Sequence, residues 1–86
     1  MAKIMKSELT CKILECNGFM YSQETESLTI THKLDYQQGT VRIRACFDYF
    51  KDKWMIFALS FLGYARTVED MNKLLKRNNI DKEIKV

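Results

Sequence analysis

His32 is the one histidine of the chain and the side chain best suited to general acid or base work near neutral pH. It stands in a run where Leu28, Ile30, Leu34 and Tyr36 alternate with Thr29, Thr31, Lys33 and Asp35, and its even position sends it to the apolar face. A core-facing imidazole with no nucleophile assigned beside it is expected to be hydrogen-bonded structure. Cys11 and Cys16 are spaced Cys-x4-Cys, but Cys46 is distant and a single histidine does not complete a tetrahedral zinc set. Cys46, between Arg44 and Asp48, has a neighbouring cation that would favour thiolate, yet the expectation is an ordinary half-exposed thiol. Asp35, Asp48 and Asp52 fall at strand ends and turns, where solvated carboxylates are common. Gly18, Gly39 and Gly63 are isolated, so no glycine-rich phosphate loop is present. The expectation is therefore a protein that is not an enzyme, with no metal, cofactor or small-molecule substrate.

Residues suited to binding are better grouped. Lys33, with Thr29 and Thr31 on its strand, shares a sheet face with Arg42 and Arg44 of the next strand, and strand parity adds Phe50 to that side. Arginines beside an aromatic can hold a single strand of nucleic acid by charge and stacking. Phe50, Trp54 and Met55, close to the turn Lys51-Asp52-Lys53, form an aromatic and basic cluster of the kind that anchors protein interfaces. The binding residues expected on these grounds are Lys33, Arg42, Arg44, Phe50, Lys51, Lys53 and Trp54.

The elements that must position them follow from periodicity. Ser7 to Cys16 reads two ways. As a helix it has Met5, Leu9, Ile13 and Cys16 on a stripe, Ser7 as cap and Asn17-Gly18 as exit. As a strand, Leu9, Cys11 and Ile13 alternate and Asn17-Gly18 turns into Phe19 to Tyr21. Ser22 to Ser27 is a polar connector before the strand that carries His32. Gln37-Gln38-Gly39 turns the chain into a strand with Val41, Ile43, Ala45, Phe47 and Tyr49 on one side. Trp54 to Leu62 then reads as one long strand, apolar on both faces: Trp54, Ile56 and Ala58 on one, Met55, Phe57, Leu59 and Phe61 on the other. Gly63 ends it. Thr67 and Asp70 have the spacing of a capping box, followed by the stripe Val68, Met71, Leu74 and Leu75, and Asn78-Asn79 stops that helix. The tail, Ile80 to Val86, offers one further short edge strand.

The result is an α+β fold of order α-β-β-β-α, a three-stranded antiparallel sheet with both helices on one face. At 86 residues the chain is expected to form one domain, residues 1–86, and to bury roughly 60 to 65% of its unfolded surface. That order resembles the double-stranded-RNA-binding fold and the HicA-type RNase toxins. ILECNGF, residues 13–19, resembles the end of the first helix of the toxins, and LLKRNNI, residues 74–80, their last helix. The Gly-Ser-His that carries the toxin's catalytic histidine is absent, since Ile30-Thr31 precedes His32. The RNA-binding family's basic helix start is also missing, the last helix opening Thr67-Val68-Glu69-Asp70. The resemblance therefore implies a layout and transfers no active site.

Composition bounds the partners. A net charge of +3 permits nucleic acid without demanding it. An odd cysteine count supplies no disulfide framework, and no apolar stretch is long enough to span a bilayer, so a cytoplasmic location without membrane association is expected. A long strand apolar on both faces needs cover from its own chain, a second copy or another molecule. The favoured function is a small protein-binding regulator or inhibitor, of a size that suits a phage or mobile-element origin, acting on a protein partner or as a homodimer. Nucleic-acid binding through the basic sheet face is the alternative.

Overall fold

Alternation of Val41, Ile43, Ala45 and Phe47 with Arg42, Arg44 and Asp48 builds the middle strand of the sheet and decides which side of it is buried. The computed structural model describes residues 7–22 and 30–86. Its elements in chain order are α1 (Cys11–Cys16), β1 (Met20–Tyr21), β2 (Ile30–Gln38), β3 (Val41–Asp48), β4 (Lys53–Phe57), β5 (Phe61–Ala65) and α2 (Val68–Arg77). The strands pair in the order β1-β2-β3-β4-β5, every neighbour antiparallel. Met5, the connector to Ser27, Leu28 and Thr29 lie at least partly outside the described residues.

One apolar cluster lies on one side of this sheet. Leu34 of β2, Ile43, Ala45 and Phe47 of β3, and Trp54 and Ile56 of β4 meet Leu14 of α1 and Met71, Leu74 and Leu75 of α2. Both helices therefore cover the same face. α2 follows its sequence signals closely: Thr67 caps it, its Oγ1 accepting from Asp70 N–H at 3.0 Å. Asp70 Oδ2 accepts from Arg66 N–H at 3.2 Å, one residue before the cap. Glu69 and Asp70 in the first turn and Lys76 and Arg77 in the last both complement the helix dipole.

Ser7 to Cys16 takes the helical alternative, but in shorter form. Thr10, not Ser7, is the cap, accepting from Ile13 N–H at 3.3 Å, and the buried helical residue is Leu14. Ser7 instead donates its hydroxyl to the Arg66 carbonyl at 2.7 Å, and Leu9 N–H donates to the same carbonyl at 3.0 Å. These bonds hold the entry to α1 against the end of β5.

The sheet has five strands where three were expected, and the reason lies in the apolar run after Trp54. β4 ends at Phe57, the chain bends through Ala58-Leu59-Ser60, with Ala58 N–H donating to the Ser60 carbonyl at 3.0 Å, and β5 returns beside it. The backbone cover that a long apolar strand requires thus comes from the second half of the same run. Gly63 does not end a strand but sits within β5 at φ +153°, opposite Ile56. A Cβ there would lie 2.9 Å from Leu74 Cδ2, so its absence lets α2 settle against the sheet. The remaining strand, Met20–Tyr21, pairs with β2 at the other edge. The tail forms no strand. Asn72 receives Ile84 N–H at 2.7 Å and donates to its carbonyl at 3.1 Å, while Asn17 makes the same pair of bonds to Lys85, both at 2.8 Å. Ile84 thereby joins the core cluster.

Candidate docking surface

Strand parity that sends one set of side chains under the helices sends the other set to a face without helices. Register gives two rows across that face. One runs Met20, Asp35, Arg44, Phe57, Phe61, and the other Lys33, Cys46, Met55, Tyr64. Polar and charged residues occupy β2 and β3, while apolar and aromatic residues occupy β4 and β5.

The apolar half is continuous. Phe57 and Phe61 have ring centroids 5.3 Å apart, and Phe61 and Tyr64 are again 5.3 Å apart in an edge-to-face arrangement. Phe61 is 47% exposed, and Leu59, at the tip of the bend, is fully exposed. Lys51 donates its ammonium to the Tyr64 hydroxyl at 2.8 Å and lies 4.7 Å from the Tyr64 ring centroid, with Lys53 at 5.8 Å. The bond to Tyr64 pushes the pKa of Lys51 up, so this border stays cationic.

The polar half is basic. Arg44 holds Asp35 in a two-pronged pair, Nε to Oδ1 at 2.7 Å and Nη2 to Oδ2 at 3.1 Å. Between the halves lies an open groove of about 470 Å³. Lys33, Arg42 and Arg44 line one side of it, and Phe57, Ala58 and Leu59 the other. Asp48, at the end of β3, turns its carboxylate to the Phe50 and Lys51 N–H groups at 2.9 and 3.3 Å.

Of the residues selected from sequence, Lys33, Arg42, Arg44, Lys51 and Lys53 come together on this face. Phe50 is 73% exposed in the β3–β4 turn. Trp54 does not belong with them: it is fully buried, packs edge-on against Phe47 and donates its indole N–H to the Leu9 carbonyl at 2.6 Å. Its even position in β4 aims it under the helices. Phe61 and Tyr64 join this face without being among the residues that the sequence singles out. The signal for Phe61 lay in the alternation Met55, Phe57, Leu59, Phe61, whereas Tyr64 comes onto this face only because β5 exists.

Residues with chemical potential are scattered among other roles. His32 Nε2 meets the Tyr49 hydroxyl at 2.9 Å, the tautomer deciding which donates. Burial pushes the Cys11 thiol up, away from thiolate, against the opposing effect of its bond with Tyr21. That same bond, with burial, pushes Tyr21 up to about 12. Cys46, expected half-exposed, is only 4% exposed, among the residues that line the groove. Among the described residues, no group of three His, Cys, Asp or Glu side chains converges, and no helix is long and apolar enough to cross a membrane. Comparisons with protein-family models, with curated proteins and with solved structures give no match to this chain.

Proposed function

We propose that this chain is a small non-enzymatic binding module that docks on a protein partner through the helix-free face of its sheet and regulates or inhibits that partner. The observation that carries the reading is the aromatic surface of Phe57, Phe61 and Tyr64, continued by Leu59 and bordered by Lys51 and Lys53. A desolvatable aromatic centre with a polar border is the anatomy of a protein interface. Nucleic acid is the second reading, favoured by Lys33, Arg42 and Arg44 lying together along the groove. Two features weigh against it. Phe61 and Tyr64 pack edge to face, Phe57 and Phe61 are tilted against each other, and Lys51 already lies over Tyr64, so the rings are poorly presented as stacking platforms; and Arg44 is engaged with Asp35.

The deciding experiment is affinity capture from lysate, with and without nuclease, using the parent chain and Phe61→Asp. The protein reading expects capture that survives nuclease and disappears in the variant. Capture abolished by nuclease, with a salt slope of roughly 0.7 per contacted phosphate, supports single-stranded nucleic acid instead.

A further inference from the structure

The groove has two chemically different sides. Phe57, Ala58 and Leu59 form an apolar side, Lys33, Arg42 and Arg44 a cationic one, and Asp35 is the one carboxylate among the lining residues. Arg44 already pairs with that carboxylate, so its charge is compensated within the chain while exposed Arg42 adds positive potential at the rim. Lys51 and Lys53 form a border past the aromatic rings at the far side, where they outnumber the one carboxylate of Asp48 that faces Lys53 in register. An occupant that matches this surface is apolar at its centre and negative at its flanks.

We infer that the partner presents an acidic segment, with an apolar or aromatic anchor against Phe57 and Leu59 and carboxylates toward Arg42 on one flank and the Lys51 and Lys53 border on the other. This rests on the protein-docking reading above. A second copy of the chain is disfavoured as occupant, because an isologous contact would set this cationic surface against itself.

The test is a fluorescence-anisotropy titration of the full chain with labelled peptides that share one apolar core and differ only in Glu, Gln or Lys flanks, beside a single-stranded DNA oligonucleotide. Circular dichroism verifies that each variant is folded. The Glu-flanked peptide is expected to bind about tenfold more tightly than the Gln-flanked one, and the double variant Arg42→Glu, Lys53→Glu to prefer the Lys-flanked peptide instead. Equal affinity for Glu and Gln flanks, a preference unchanged by charge reversal, or binding of no peptide overturns the acidic segment. If Phe61→Asp still abolishes the flank-independent binding, docking on this face stands and only the acidic assignment falls. An oligonucleotide bound more tightly than every peptide overturns both. A homodimer in sedimentation that Phe61→Asp dissociates overturns the acidic segment and identifies a second copy as the occupant, leaving this face as the interface.

Discussion

Replacing Trp54 with Phe separates a core residue from a contact residue, two roles with opposite consequences. The indole N–H donates to the Leu9 carbonyl at 2.6 Å in a fully buried setting, so the substitution leaves a buried acceptor without its partner, at a cost of about 1–3 kcal/mol. The smaller ring also removes apolar volume beside Phe47, worth about 2 kcal/mol at roughly 0.8 kcal/mol per methylene-sized group. Together the loss is about 3–5 kcal/mol, against a total stability of about 4–13 kcal/mol for a chain of this length. At roughly 4–8 °C per kcal/mol, the melting temperature falls by more than about 10 °C. Phe61→Ser, on the helix-free face, is expected to cost about 1 kcal/mol or less. Urea and thermal unfolding followed by far-ultraviolet circular dichroism measure both. Parental stability in Trp54→Phe would refute the placement of the indole beneath the helices, and a large loss in Phe61→Ser would mean that the aromatic surface is part of the core.

Gly63→Ala puts a Cβ against Leu74 and asks a non-glycine residue to hold φ +153°, so urea denaturation should report a loss of about 1–3 kcal/mol. Adding Leu74→Ala should relieve the clash without rescuing the backbone cost. Asn72→Ala removes both bonds to Ile84, which predicts a loss of about 1–3 kcal/mol and faster amide exchange at Ile84. For Tyr21, the folded state favours the neutral phenol, mainly through the bond with Cys11 and then through burial. Its contribution to stability is complete below pH 10 and declines as pH rises from 10 to about 12. Absorbance titration should find a phenol ionising near 12, and Cys11→Ala should bring it down toward 10.

Legibility of the fold followed local signals. α2 was readable from both ends because Thr67, Asp70 and the double asparagine act locally, and the faces of β3 were readable because Val41, Ile43, Ala45 and Phe47 alternate with Arg42, Arg44 and Asp48, with Cys46 alone blurring the pattern. The β4–β5 turn was hidden because Ala58-Leu59-Ser60 carries no glycine, proline, asparagine or aspartate. With no punctuation, one long strand was the simpler reading of Trp54 to Leu62. The role of Gly63 depends on Leu74, distant in sequence, and the asparagine bonds to the tail are likewise long-range contacts. At the candidate site the charges were legible from strand parity. Of the two aromatic residues selected beside them, Phe50 is exposed and Trp54 is buried, because an apolar strand does not declare which of its faces the helices will cover.

Side-chain oxidation footprinting of the chain, free and bound to its captured partner, tests the docking face most directly. Protection is expected at Met55, Leu59, Phe61 and Tyr64, with Val86 and the outer residues of α2 unchanged on binding. Protection confined to α2 or the tail, with Phe61 and Tyr64 as reactive in the complex as in the free chain, would contradict docking through the sheet.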